Sequence, residues 1–334
     1  MNTPMPGAGL GATEPAGSPE GAAAVTEGVV TLADAIDPDR FGAKAAGLAR
    51  ALVAGLPVPD GVVLAPDTAR SVVDGATEVL GAVVAHTDRW PGTLAVRSSA
   101  IEEDGPVASF AGQHLTRLGV RATEGALRAA ITAVAGSATS PHAVAYRRAM
   151  LGRHGPGDLE APGGAGGFDG AGRPMFQERG AGVPVLDGRP DSAIAVATLI
   201  QPLVHPRASG VMFTVDPVTG ARILLVEAVH GLGEAVVGGQ VTPESWRIGR
   251  GGVIIGGRPG RQSVAIEPAP GGGTRERPLT GSERAGRCLE PGTLRLLTRL
   301  AADCRALFGS DALDIEWAWT RSRVWLLQCR PVTA

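Results

Sequence analysis

The chain has 334 residues, 44% hydrophobic and 19% charged, with a formal net charge of −2. That apolar content supports a sizeable core and excludes wholesale disorder, and the length suits two domains or one large two-lobed module. The near-neutral charge argues against a nucleic-acid binder, and no apolar run approaches the roughly 18–20 residues of a membrane span.

Three cysteines, Cys288, Cys304 and Cys329, show no CxxC spacing and cannot form a fully paired disulfide framework, so a reducing cytoplasm is expected. The first residues, MNTPMPGAGLGATEPAGSPEGAAAV, lack the basic start and compact apolar stretch of a secretory signal. Of the 31 basic side chains one is lysine, Lys44, and the rest are arginine. A lysine kept against such a bias points to a need for a compact ammonium, which the planar guanidinium does not replace.

In chain order, residues 1–27 form a Gly/Ala/Pro/Glu tail without periodicity, expected to be disordered. Order is expected to begin at Val29–Leu32. Gly42–Ala54 has helical spacing at Leu48, Ala49 and Leu52 and stops at Gly55, and Gly61–Leu64 follows as a short strand. Leu94–Val96 is a buried strand leading into a polar cluster, Arg97-Ser98-Ser99. Helical patterns cover Glu124–Val134 and His142–Met150. Residues 152–192 are too rich in Gly and Pro for a packed element and form an insertion. Strand-like runs follow at Ala193–Ile200, Gly210–Val215, Ile223–Val229 and Gly252–Gly256. Residues 268–283, PAPGGGTRERPLTGSE, are expected to be a linker, and Thr293–Leu307 a helix. Strands and helices interleave without regular βαβ spacing, so the fold class is α+β rather than a doubly wound sheet.

The C-terminal segment predicts a β-hairpin. With the turn centred on Ser322, Glu316 falls opposite Gln328 and Asp314 opposite Arg330. Period-2 geometry places these four on one face, with Ile315, Trp317, Trp325 and Leu327 buried on the other. Hard oxygen ligands beside a guanidinium suit a Mg²⁺-bound polyphosphate, although a solvated face with one ion pair accounts for the same pattern. The Ser/Gly-rich stretch from Val96-Arg-Ser-Ser-Ala to Ser109-Phe-Ala-Gly-Gln-His offers a cation, hydroxyls and backbone N–H groups for phosphate. No G-x-x-x-x-G-K-[ST] segment exists, and Gly231-Leu-Gly-Glu lacks the third glycine of a dinucleotide fingerprint.

These stretches occur in an order that resembles the N-terminal nucleotide-binding domain of phosphoenolpyruvate synthase, pyruvate phosphate dikinase and rifampicin phosphotransferase. The set runs through Gly42-Ala-Lys-Ala-Ala-Gly-Leu, Gly55-Leu-Pro-Val-Pro-Asp-Gly, Val96-Arg-Ser-Ser-Ala, Gln201-Pro-Leu-Val and Ser209-Gly-Val-Met-Phe-Thr-Val-Asp-Pro. It ends with Gly231-Leu-Gly-Glu, Asp314-Ile-Glu-Trp-Ala and Gln328-Cys-Arg-Pro-Val-Thr, and covers about 28–334. The resemblance implies an ATP-grasp fold, two α+β lobes clamping ATP. The N-terminal lobe would span 28–192 with the insertion at 152–192, and the C-terminal lobe 193–334. It implies that Lys44, Arg97 and Arg330 act on the ATP phosphates. Gly112 and Thr116 would belong to a mobile phosphate-covering loop, Gln201 would sit near the adenine, and Glu316 and Gln328 would hold Mg²⁺. Two departures are Gly-Ala-Lys-Ala where Gly-Gly-Lys-Gly is usual, and Glu244 where aspartate is usual after Thr-Pro.

The implied activity is the ATP-binding half of a dikinase-type phosphotransferase, cleaving ATP to AMP. The relatives continue into a phosphohistidine domain beyond the Arg-Pro-Val-Thr motif, so the phosphate-accepting histidine is expected on a separate partner protein that passes phosphate to pyruvate or another small molecule. A free-standing small-molecule kinase and a non-catalytic nucleotide-binding subunit are the alternatives. His142 is assigned a structural place on its helix, since no activating base partner can be named for it. His114 is either a site neighbour or solvent-facing.

Overall fold

The computed structural model describes residues 28–101, 115–137, 195–234 and 241–332. The tail, the insertion at 152–192, the helix expected at His142–Met150, and Gly112 with His114 lie outside the described residues.

The first half contributes β1 (Val29–Thr31), α1 (Pro38–Val53), β2 (Val62–Leu64), α2 (Pro66–Val73), α3 (Thr77–Thr87), β3 (Leu94–Ala100), β4 (Thr116–Val120) and α4 (Glu124–Gly136). With β5 (Val196–Pro202) the strands form an antiparallel sheet in the order β1-β2-β5-β3-β4. Alternation along the strands sends Val62, Leu64, Val96 and Ile200 against α2, α3 and α4, where Val72, Leu80, Leu127 and Ile131 meet them. Val63, Ala197 and Leu199 face the opposite way, onto Phe41, Ala45, Leu48 and Ala49 of α1.

The second half contributes β6 (Ala208–Phe213), β7 (Leu224–His230), β8 (Glu244–Ile248), β9 (Ile254–Arg258), β10 (Val264–Pro268), β11 (Thr274–Pro278), α5 (Gly281–Ala285), α6 (Pro291–Phe308), β12 (Leu313–Trp319) and β13 (Val324–Pro331). Six of these strands make an antiparallel sheet, β13-β12-β6-β7-β8-β9, while β10 and β11 pair apart from it. Its inner face, with Met212, Val226, Ile315 and Trp317, shares one core with α1 and with Leu297, Leu300 and Cys304 of α6. Helix α1 therefore packs against both sheets, and its N-terminal end reaches the cleft where they meet.

Four expectations need correction. The division at 192/193 separates β5 from its sheet, because β5 lies between β2 and β3; the step between sheets falls at 203–207. Arg97-Ser98-Ser99 does not follow the strand but lies within it, buried. The stretch 268–283 is not a linker: it supplies the end of β10, all of β11 and the start of α5. Composition misleads there because β11 carries the exposed Arg275 and Glu276, while Gly271–Gly273 belong to the turn before it.

The fourth correction concerns the C-terminal hairpin. Glu316↔Gln328 and Asp314↔Arg330 pair as the period predicts, but a β-bulge leaves Leu327 extra, so Trp317 pairs with Leu326. Leu326 is then the buried residue, while Trp325 and Leu327 are half-buried.

The base of β10–β11 is held by charge. Arg277 Nε donates to Glu267 at 2.6 Å, and its Nη1 and Nη2 donate to Glu283 at 3.0 and 2.9 Å. The Arg277 bonds, with backbone Thr280 N–H, pull the Glu283 carboxyl down to about 2. A depressed carboxyl contributes stability above its ordinary value near 4.5, and that contribution is lost as pH falls towards about 2. Arg277→Ala should lower the melting temperature at pH 7 by a few degrees, solvent screening keeping the effect small. The gap to the parent chain should close between about pH 5 and pH 2. Thermal scans showing a gap independent of pH would contradict this assignment.

Candidate functional site

The cleft between the sheets is a cavity of about 610 Å³. Lys44, Arg97, Thr116, Gln201, Glu316, Gln328 and Arg330 all line it; Gly112 alone among the expected site residues lies outside the described residues. Residues up to 286 positions apart in the chain thus converge on one hollow.

Lys44 arrives through a broken helix. Gly42 has φ 78° and interrupts α1, and a Cβ there would lie 2.4–2.6 Å from the Oγ, O and C atoms of Ser99. Only glycine permits so close an approach at that φ. The helix restarts against β3: Ser99 Oγ accepts from Ala45 N–H at 3.0 Å, doing for a first-turn amide what an N-cap side chain does. Lys44, 9% exposed, then donates from Nζ to the Ser98 carbonyl at 3.1 Å. The usual second glycine, here Ala43, is not needed for this contact.

Arg97 crosses from the first sheet to the second. On β3 it is the cross-strand neighbour of Thr116, which opens strand β4 rather than lying in the loop expected of it, and the exposure of Arg97 is 9%. Its Nη2 donates to Glu316 Oε2 at 2.8 Å and its Nη1 to the Leu327 carbonyl at 2.5 Å. The carbonyl it reaches belongs to the bulged residue, whose extra length disturbs the ladder at that point.

Arg330 donates from Nε and Nη2 to one oxygen of Asp314, at 3.0 and 2.9 Å, the cross-strand pair expected from spacing. The other Asp314 oxygen, Oδ1, is buried without a hydrogen-bond partner. Burial raises the Asp314 carboxyl above its ordinary value, with the Glu316 charge adding to the rise and Arg330 opposing it. Gln201, largely buried on the cavity wall, donates from Nε2 to the Pro59 carbonyl at 2.8 Å, which fixes its amide orientation. Glu244 stands apart from the cavity: it accepts from Trp246 Nε1 and from the Cys288 amide, so it pins β8 to the segment before α6.

Sequence reading missed the part that three contributors play. Ser99, whose hydroxyl was expected to serve phosphate, does not line the cavity; its role is the bond to α1, which needs the fold. Pro59 was visible in Leu-Pro-Val-Pro-Asp-Gly. Glu234, which burial shifts upward, lines the cavity as the acid of Gly231-Leu-Gly-Glu.

Residues 65–334 match the family described as the pyruvate phosphate dikinase AMP/ATP-binding domain. The chain belongs to this family. Among curated relatives, it is 31% identical over 326 residues to a prodigiosin synthesizing transferase, PigC, of Serratia marcescens, covering 89% of this chain and 32% of that protein. It is 33% identical over 285 residues to a rifampicin phosphotransferase of a Streptomyces species, covering 85% and 27%. A probable phosphoenolpyruvate synthase of Methanocaldococcus jannaschii is 28% identical over 243 residues, covering 72% and 17%. The chain spans about a third or less of the length of these relatives. For a dikinase-type AMP/ATP-binding domain the α+β fold is as expected, and the residues singled out in the sequence line the cleft between its two sheets.

The donor set fits a magnesium ion held mainly through phosphate. Among the described residues no group of three or more His, Cys, Asp or Glu side chains is arranged to hold a metal. Glu316 and Gln328, paired across β12 and β13, offer two hard oxygens on the cavity wall. Mg²⁺ characteristically takes one or two carboxylates and completes its shell with phosphate oxygens and water.

Proposed function

We propose that this chain is the Mg-ATP-binding part of a dikinase-type phosphotransferase, forming AMP and passing a phosphoryl group to a histidine on a separate protein. That partner would carry it on to pyruvate or another small molecule. The observation that carries this reading is the convergence of Lys44, Arg97, Arg330, Glu316 and Gln328 on one cavity large enough for a nucleotide.

Lys44 and the two arginines supply positive charge on opposite walls, so a polyphosphate entering the cavity meets cations from both sheets. Gln201, with its Nε2 committed to Pro59, presents its remaining amide oxygen toward the adenine end. Mg²⁺ held by Glu316 and Gln328 would neutralise phosphate charge there. With Glu316 drawn to the metal, Arg97 would keep its Nη1 on the Leu327 carbonyl and could turn its Nη2, now on that carboxylate, to a phosphate oxygen. Arg330 remains oriented by Asp314 throughout.

Three cysteines without CxxC spacing, two of them buried in the core, support a reducing compartment, the cytoplasm. Among the described residues no helix is long and apolar enough to cross a membrane.

Incubation with Mg-ATP and a candidate phosphohistidine-domain protein tests the proposal. AMP and phosphate should form only when both proteins are present, with an acid-labile phosphoryl group on the partner. Formation of ADP with a small-molecule acceptor would replace this reading by that of a direct kinase.

A further inference from the structure

The β10–β11 hairpin touches both walls of the cavity. At its base, Ile266 forms a bridge to Gly231 and accepts from Leu232 N–H at 2.8 Å, next to Leu232, Gly233 and Glu234 on the cavity rim. Gln262, just before β10, reinforces this end: its side-chain amide accepts from His230 N–H and donates to the His230 carbonyl, both at 2.9 Å. At its tip, Gly273 N–H donates to the Gly119 carbonyl at 2.7 Å. Gly119 lies on β4, whose Thr116 and Leu118 line the opposite wall.

Both contacts depend on a missing side chain. A Cβ on Gly119 would lie 2.1 Å from Gly273 O and 2.5 Å from its N and C atoms, and Gly119 has φ +71°. A Cβ on Gly231 would lie 2.3 Å from Ile266 O, and its φ is +79°. Under 3.0 Å something must shift, and here it would have to be backbone. Two backbone-to-backbone seats, one at each wall, are more than the covering of an exposed strand requires. Arg277, bonded to Glu267 and Glu283, stiffens the hairpin at its base.

We propose that the β10–β11 hairpin is a clasp that holds the two walls of the nucleotide cavity together, with Gly119 and Gly231 as its positioning residues. The inference rests on the cavity being the nucleotide site. Through Gly119 the clasp fixes β4, and with it Thr116 beside Arg97; through Ile266 it fixes the Gly231-Leu-Gly-Glu segment. Nucleotide drawing on both walls at once must therefore tighten the hairpin.

Hydrogen exchange of the parent chain, with and without saturating Mg-ATP, tests this directly. Peptides covering 264–278 and 115–121 should exchange at least tenfold more slowly with nucleotide. Gly119→Ala should raise the calorimetric Mg-ATP dissociation constant at least tenfold and abolish the nucleotide-induced slowing at 264–278. Gly271→Ala should change neither, because its Cβ position is open space. Should Gly119→Ala fail to fold, the exchange result on the parent chain decides. If Mg-ATP binds, and Lys44→Met weakens it, but the hairpin exchanges at the same rate, the clasp is wrong while the site stands. If the parent chain binds no Mg-ATP at all, the site reading fails and takes the clasp with it.

Discussion

Lys44→Met is expected to reduce Mg-ATP affinity roughly tenfold to a hundredfold while leaving the melting temperature unchanged or slightly higher. A charge-assisted bond contributes about 1.5–3 kcal/mol, which corresponds to that range. The stability half of the prediction separates function from packing. Lys44 is buried against β3 with its ammonium on the Ser98 carbonyl, a costly place for a charge. Methionine is apolar and of similar length, so it keeps the packing, and the desolvation cost it removes offsets the bonds the ammonium gives up. A lysine retained for stability would lower the melting temperature when replaced; one retained for a phosphate would not. Lys44→Arg should also bind poorly, because the planar guanidinium is broader than the compact ammonium that Lys44 places, buried, on the Ser98 carbonyl. Calorimetry and thermal scans on the two variants supply the check. Unchanged affinity with a lowered melting temperature would make Lys44 a structural residue.

The parts legible from sequence are those where local period and tertiary position agree. The C-terminal hairpin is the clearest case: strict alternation set Glu316 against Gln328 and Asp314 against Arg330, and the pairing follows it. The bulge at Leu327 was not legible, since one extra residue leaves the distant pairs in place and only exchanges which of Trp325, Leu326 and Leu327 is buried. Yet that bulged carbonyl anchors Arg97, so a feature invisible to pattern shapes the site. Gly42 was visible as a residue in a motif, whereas its role in breaking α1 depends on Ser99, 57 positions away. Residues 268–283 misled by composition: glycine runs and exposed charge describe a linker and a solvent-facing hairpin equally well, and the contacts at Gly119 and Gly231 decide between them. Strand β5 was legible as a strand but not in its place, because nothing local tells a strand which sheet it joins.

The pair Glu316 and Gln328 carries the second large expectation. Glu316→Gln keeps the shape and removes the charge, so the Mg²⁺ concentration needed for nucleotide binding should rise about tenfold or more, in line with the loss of one strong ligand. Metal-free nucleotide binding should change far less, and in the opposite sense. In the ligand-free chain Arg97 is held by Glu316 at 2.8 Å, and losing that carboxylate leaves the guanidinium readier for phosphate. Gln328→Ala should raise the Mg²⁺ requirement without that gain, since Gln328 makes no ion pair with Arg97. The double variant should lose less than the sum of the single losses, because two ligands of one ion belong to one network. Asp314→Asn is the comparison on the same face: its oxygen orients Arg330, so its effect should be milder and largely independent of metal. Titrations of Mg²⁺ at fixed ATP, and of ATP without metal, measure all four. If the Glu316 and Gln328 losses simply add, or neither responds to Mg²⁺, the paired oxygens on β12 and β13 do not hold the metal, and Glu316 serves only as the counter-charge of Arg97.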